Sequence, residues 1–180
     1  MNAPTVRLWD PVVRLFHWSL AFAFFANYFF TEEGEGWHRW IGYYACGWLA
    51  LRFIWGFTGG GAASWRALWP SYARLKSHVL ALRRGEGHRH LGHSPLGALV
   101  MIAMMLAMLG LGVTGFMMEE VDRFWGEDWV EELHETIANL LAALVGLHIL
   151  AAVVESIRLR ENLPLSMITG KRRQPGPGDE

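Results

Sequence analysis

The sequence predicts an all-α membrane protein, organised as a four-helix transmembrane bundle. Hydrophobic residues make up 52% of the 180-residue chain, and aromatic residues make up 13%. Four apolar stretches are long enough to cross a hydrocarbon core, which takes about 20 residues per helix. They cover residues 11–30, 37–57, 96–118 and 129–156, within one domain that we assign to residues 1–173. The remaining residues, 174–180, are rich in Pro and Gly and are predicted to be disordered.

The first stretch starts at a helix signal and is expected to stay in the membrane. Asp10 suits the N-cap position and Pro11 the first helical position. The stretch contains Arg14 and His17 and lacks a small-residue cleavage site, so it does not fit a removed signal peptide. The second stretch holds Cys46, the only cysteine, which rules out an internal disulfide and covalent haem attachment through two thiols.

The segment between the second and third stretches predicts a helix on the membrane surface. Over residues 64–84, apolar residues recur at steps of three and four while basic residues occupy other positions, and Pro70 interrupts the pattern. The third stretch, 96–118, has no charged residue and contains a G-x-G-x-x-G match at 110–115. Because no strand precedes these glycines, we interpret them as sites of close helix approach, and not as a dinucleotide motif.

Charge is divided unevenly between the loops. Basic residues dominate the amino end, the 58–94 loop and the carboxyl end, whereas acidic residues dominate the 31–36 and 119–135 segments. The positive-inside rule therefore predicts that both termini are cytoplasmic and that the acidic loops face outward. Nothing in the sequence indicates nucleic acid binding.

The histidines of the fourth stretch are the most informative residues. His134 and His148 are fourteen residues apart, so a helix points both rings to one face with a rise of about 21 Å. His17 lies about 9 Å and His148 about 15 Å from the cytoplasmic side, counted along their helices. His38 opens the second stretch on the outer side, near the depth of His134. Depth thus predicts two pairs, His17 with His148 and His38 with His134.

Paired neutral imidazoles from facing helices are the axial ligands of low-spin haem iron. Two alternatives are interhelical hydrogen bonds and histidines that reach toward the membrane surface. A proton-relay transporter is a third, but it would be expected to bury carboxylates, and the middle of these stretches has none. Four histidines in two matched pairs favour haem. Arg39 and Arg52, which lie inside the second stretch, are candidate contacts for haem propionates at the outer and inner ends.

Five segments carry a resemblance to a known family. They read RLFHWSLA (14–21), WHRWIGY (37–43), RHLGHSPLGALVM (89–101), LHETIANLLAALVGLH (133–148) and ENLPLSMITGKRR (161–173). The chain resembles the bacterial cytochrome b561 family, which is related to the b-type cytochrome subunits of nickel–iron hydrogenases. The resemblance implies a four-helix bundle in the bacterial inner membrane with two b haems. It implies that the axial ligands are His17, His38, His134 and His148, and that electrons are exchanged with membrane quinone.

The expected function is electron transfer between a periplasmic redox protein and quinone. The acidic outer face suits a basic partner, such as a c-type cytochrome or a dehydrogenase or hydrogenase subunit. An enzyme is the alternative, since some relatives resemble superoxide oxidases that pass an electron from superoxide to ubiquinone. An acidic face repels that anion unless Arg39 and Arg123 form a local funnel. A third alternative is a membrane anchor without haem.

Overall fold

The computed structural model describes residues 4–32, 34–84 and 92–174, and it is dominated by long helices. The helices are α1 (Pro11–Phe30), α2 (Gly36–Thr58), α3 (Trp65–Leu68), α4 (Tyr72–Arg83), α5 (Pro95–Glu120), α6 (Asp128–Leu159) and α7 (Leu163–Thr169). Two strands, β1 (Thr5–Arg7) and β2 (Lys171–Arg173), and two 3-10 turns, Gly61–Ala63 and Asp122–Phe124, complete the described elements. The predicted disordered tail lies almost wholly outside the described residues.

Side-chain caps start several of these helices. Asp10 Oδ1 accepts the backbone N–H of Val12 at 2.7 Å, and Pro11 occupies the first helical position, as the sequence predicts. Ser94 Oγ accepts the backbone N–H of Gly97 at 3.1 Å, at the start of α5. The expected surface helix is interrupted near Pro70, which lies between the end of α3 and the start of α4.

Two of the described helices, α5 and α6, are long and apolar enough to cross a membrane by length and composition. The other two long helices, α1 and α2, have 20 and 23 residues. They include polar residues such as Asn27 in α1 and Arg52 in α2, which lower the mean hydropathy of each helix. Large apolar side chains on these helices are exposed, among them Phe22, Phe29 and Phe53. Such a surface is expected where lipid is the solvent.

The described chain forms two compact units. The terminal unit comprises Met1–Arg14, Ile54–Met101 and Leu147–Glu180, and the central unit comprises Leu15–Phe53 and Ile102–Gly146. The core of the central unit includes Ala23, Ala45, Val130 and Leu141, each at most 6% exposed. Small residues in such positions allow helix backbones to approach closely.

The terminal unit contains a small antiparallel sheet that the all-α prediction omits. β1 pairs with β2 in the register Thr5↔Arg173, Val6↔Arg172 and Arg7↔Lys171. Three-residue strands carry too little alternation to be detected as a pattern, and their partners lie at opposite ends of the chain. The described chain is predominantly helical, as the all-α prediction expects, and this short sheet is an addition to it.

Side chains fix the sheet to the neighbouring helices of the terminal unit. The buried Trp9 indole donates from Nε1 to Ser166 Oγ at 3.0 Å, and the Arg14 guanidinium donates to the backbone oxygen of Ile168. Gly170 ends α7 in the left-handed conformation with φ 78°, and a Cβ there would lie 3.0 Å from the backbone oxygen of Trp9. Only glycine meets both requirements without strain.

An ion pair holds β2 against the end of α6. Glu161 Oε2 accepts from Arg172 Nη2 at 2.9 Å, and Glu161 Oε1 accepts the backbone N–H of Arg173 at 2.7 Å. The side chains of Arg172 and Glu161 are 4% and 11% exposed. A buried charge needs a partner of this kind, because desolvation of an unpaired ion is costly.

Candidate functional site

His38 and His134 lie side by side in the central unit. His38 stands in the first turn of α2, and His134 stands two turns into α6. Their ring centroids are 6.1 Å apart and the ring planes are inclined by 56°. The structure thus brings together the two histidines that depth in the sequence predicts as the outer pair.

A threonine hydroxyl contacts Nδ1 of each ring. Thr31 Oγ1 lies 3.0 Å from Nδ1 of His38, and Thr114 Oγ1 lies 2.7 Å from Nδ1 of His134. Thr114 also donates its hydroxyl hydrogen to the carbonyl of Gly110, four residues earlier in α5, at 2.9 Å. A hydroxyl has one hydrogen, so with that hydrogen on the Gly110 carbonyl the oxygen can accept from an Nδ1–H of His134.

The same reasoning applies to His38. With the Thr31 hydroxyl hydrogen on the carbonyl of Asn27, 3.2 Å away, its oxygen can accept from an Nδ1–H of His38. Asn27 in turn donates from Nδ2 to the backbone carbonyl of His38 at 2.9 Å. In this arrangement each imidazole carries its proton on Nδ1, and Nε2 keeps a lone pair that could bind a metal ion.

A cavity of about 530 Å³ adjoins the two rings, lined by residues of α1, α2, α5 and α6. Its volume falls in the range of about 300–1,000 Å³ that cofactor sites occupy. Gly42 of α2 and Gly112 and Gly115 of α5 contribute to the wall. A Cβ on Gly115 would lie 3.6 Å from Cε1 of His134. Because glycine has no side chain, the helix surfaces at these positions do not extend into the space beside the histidines.

The spacing of the two imidazoles fits axial ligation of one iron. A metal–nitrogen bond of about 2.0 Å and about 1.1 Å from nitrogen to ring centre, on both sides of the metal, give centroids about 6 Å apart. The observed 6.1 Å agrees with this value. The donor set agrees as well, because two neutral imidazoles oriented through Nδ1–H are suited to haem iron.

Polar pairs surround the cavity. Arg39 Nη1 donates to Glu119 Oε2 at 2.9 Å, and the Tyr43 hydroxyl donates to Glu120 Oε1 at 2.6 Å, so that two bonds connect α2 to α5. Tyr28 donates to Asn139 Oδ1 at 2.8 Å, connecting α1 to α6. Arg39 thus lines the cavity as an ion-paired residue, and its contact with a propionate stays a prediction.

The structure places the remaining predicted residues as follows. His17 is half-buried in the central unit, with its ring 5.0 Å from that of Trp18 in an edge-on arrangement. Arg52 is buried in the same unit at 4% exposure. His148 is half-buried and belongs to the terminal unit. The pairing of His17 with His148, and the contact of Arg52 with a propionate, stay predictions.

Sequence reasoning did not identify Thr31 or Thr114 as part of the site. Thr114 lies within the glycine-rich run of α5. The residues that face Gly110 and Gly112 explain why glycine occupies these positions. A Cβ on Gly112 would lie 2.5 Å from Sγ of Cys46, and a Cβ on Gly110 would lie 3.2 Å from Cδ1 of Ile137. Close approach of helices accounts for these glycines, and the threonine among them contacts the histidine.

A comparison with known families agrees with this geometry. A family model described as prokaryotic cytochrome b561 matches residues 8–170, which include all four predicted histidine ligands. The chain belongs to the prokaryotic cytochrome b561 family. As a cytochrome b561, it is a bacterial membrane cytochrome that binds haem b and takes part in electron transfer. No individual curated protein sequence matches this cytochrome b561 significantly.

Proposed function

We propose that this cytochrome b561 is a dihaem protein that carries electrons across the bacterial inner membrane. One haem is held by His38 and His134, and the other by His17 and His148. Electrons pass between membrane quinone and a redox protein on the periplasmic side. The spacing of 6.1 Å between the His38 and His134 rings, with both Nδ1 atoms bonded to threonine, is the observation that carries the proposal.

Haem b supplies an iron that accepts and releases one electron. The residues of the chain determine where that happens and what has access to the iron. His38 and His134 offer two strong nitrogen donors, which leave no open coordination position for dioxygen and so favour electron transfer over oxygen chemistry. Thr31 and Thr114 hold the rings by Nδ1, which suits the tautomer that leaves Nε2 available to the iron.

The proposed topology has four transmembrane helices, α1, α2, α5 and α6, with both termini in the cytoplasm. The acidic residues near the cavity belong to the central unit, among them Glu35, Glu127 and Glu131. Exposed basic residues are concentrated in the terminal unit, including Arg66, Arg74, Lys76, Arg83 and Lys171. This distribution of charge supports cytoplasmic termini by the positive-inside rule.

The acidic surface supports a basic redox partner on the periplasmic side. Complementary charge raises the rate of encounter between proteins, and salt screens it over about 10 Å at 0.1 M ionic strength. We therefore expect electron exchange with a basic c-type cytochrome to slow as salt concentration rises. A rate that is unchanged between 20 mM and 500 mM salt would contradict docking through the acidic residues.

The superoxide oxidase alternative receives less support. It requires arginines that attract an anion to an otherwise acidic face. Arg39 is ion-paired with Glu119 at 2.9 Å, and Arg123 lies over the ring of Phe124 at 5.9 Å. Neither arrangement forms a cationic funnel, so we favour the carrier. Reduction of quinone by superoxide, with the purified protein as sole catalyst, would reverse this preference.

Haem stoichiometry tests the proposal directly. The wild-type protein, purified in detergent, should contain two haems per chain by pyridine haemochrome absorbance. His38→Ala and His134→Ala should each lose the same one of the two, and His17→Ala and His148→Ala should each lose the other. His93→Ala is the matched control, since the His93 ring lies 4.7 Å from that of Trp9 in the terminal unit and its loss should not affect haem content. Retention of two haems in His38→Ala would overturn the assignment.

Quinone exchange needs its own measurement. Under anaerobic conditions, a ubiquinol or menaquinol analogue added to the oxidised wild-type protein should reduce both haems, as followed in the α-band of the absorption spectrum. Reduction by dithionite, and not by either quinol, would contradict the quinone part of the proposal and leave the haem assignment intact.

A further inference from the structure

We infer that Thr31 and Thr114 are positioning residues that hold the two histidines by Nδ1 and lower the reduction potential of the haem between them. This inference rests on the proposed ligation by His38 and His134. Neither threonine belongs to the ligand set that the family resemblance implies. The geometry alone assigns them this role.

Both threonines make the same arrangement of hydrogen bonds. Each hydroxyl donates to the carbonyl of the residue four positions earlier, Asn27 for Thr31 and Gly110 for Thr114. That bond commits the single hydroxyl hydrogen, so the oxygen lone pair is presented to the imidazole. With the hydrogen placed in this way the histidine donates, and Nδ1 is the protonated nitrogen.

The two bonds join different helices. Thr31 follows α1 and holds a ring of α2, whereas Thr114 belongs to α5 and holds a ring of α6. Each ring is thus fixed by a residue outside its own helix, which restricts rotation about its side-chain torsions. Orientation of a ligating imidazole by such an outer partner is a general feature of metal sites.

The two threonine–histidine hydrogen bonds differ in strength. Thr114 is 3% exposed and its oxygen lies 2.7 Å from Nδ1, whereas Thr31 is half-buried and its oxygen lies 3.0 Å away. A hydrogen bond shielded from water is electrostatically stronger. We therefore expect Thr114 to have the larger effect on the haem.

The direction of the effect follows from the bond. An oxygen that accepts from Nδ1–H increases the electron density at Nε2 and makes the imidazole a better donor. A better donor stabilises ferric over ferrous iron, so removing the hydroxyl should raise the reduction potential. A tenfold loss of ferric over ferrous binding corresponds to a rise of about 59 mV for a one-electron couple.

The test uses substitutions that separate the hydroxyl from the shape of the side chain. Thr114→Val keeps the branched shape and removes the hydroxyl, whereas Thr114→Ser keeps the hydroxyl. Redox titration of the purified protein, followed by haem absorbance, should show one potential raised in Thr114→Val and the other unchanged. Thr114→Ser should restore the wild-type value, and Thr31→Val should raise the same potential by less.

A matched control comes from α2. Thr58 also donates to a carbonyl four residues earlier, that of Ile54, at 3.4 Å. Thr58 makes no described contact with a histidine, so Thr58→Val should leave both potentials at their wild-type values. A changed potential in Thr58→Val would show that the loss of any helix hydroxyl causes the effect, and would contradict a specific role for Thr31 and Thr114.

The outcomes distinguish this inference from the proposed function. If Thr114→Val and Thr31→Val leave both potentials unchanged while His38→Ala loses one haem, the ligand assignment stands and the role of the threonines is wrong. If Thr114→Ser shifts as far as Thr114→Val, the hydroxyl is not the cause and the inference also fails. If Thr114→Val does not bind haem, Thr31→Val decides, because a raised potential supports the inference and an unchanged potential contradicts it.

Discussion

Replacing Gly112 with alanine tests how closely α2 and α5 approach beside the cavity. A Cβ at this position would lie 2.5 Å from Sγ of Cys46, where ordinary van der Waals contact needs about 3.5 Å or more. Either the Cys46 side chain must therefore rotate or one of the two helices must shift by about 1 Å. Overpacking of this kind costs about 1–3 kcal/mol, offset by up to about 1 kcal/mol from the higher helix propensity of alanine. We expect a net loss of about 0–3 kcal/mol.

The cost should disappear when the sulfur is removed. In the Cys46→Ala background, Gly112→Ala meets no Sγ, so the double variant should be at least as stable as Cys46→Ala alone. Gly115→Ala is a matched control, because its Cβ would lie at an ordinary 3.6 Å from Cε1 of His134. Unfolding in detergent micelles, followed by circular dichroism, gives the stabilities of the wild type and the four variants. An equal loss from Gly112→Ala with and without Cys46 would refute the reasoning.

Two further predictions concern the terminal unit. Glu161→Ala should destabilise the terminal unit by about 3–5 kcal/mol, because the substitution removes the carboxylate that pairs with the buried Arg172. Faster proteolysis near β2 than in the wild type would report this loss. A proteolysis rate in Glu161→Ala equal to that in Glu161→Gln would contradict it. Trp9→Phe removes the indole N–H that Ser166 accepts and should cost about 1 kcal/mol. Thermal unfolding checks this change, with Trp125→Phe, at an exposed indole, as the control expected to have no effect.

Periodicity and capping residues were sufficient to predict the long helices. The first predicted span and α1 cover the same residues, because Asp10 and Pro11 start the helix and the apolar run ends at Phe30. The break at Pro70 was predictable for a similar local reason, since proline cannot continue the preceding helix. Information of this kind lies within a few neighbouring residues.

Contacts between distant residues were harder to predict. Depth along the helices placed His38 near His134, because a rise of about 1.5 Å per residue converts sequence into position. The depth argument could not identify Thr31 and Thr114, since each is a single hydroxyl among many that bond only to their own helix. Nor could sequence choose a partner for Arg39, for which Glu119 and a propionate are chemically equivalent acceptors.

The pairing of β1 with β2 has a consequence for the order in which the chain folds. Val6 and Arg172 are partners, yet nearly the whole chain separates them. At a synthesis rate of about 5–20 residues per second, β1 leaves the ribosome on the order of ten seconds before β2 exists. During that interval the edge of β1 is unpaired, and Trp9 lacks the Ser166 hydroxyl that accepts its N–H. Closure of the terminal unit is therefore a late folding event, which must wait until the last helix has been made.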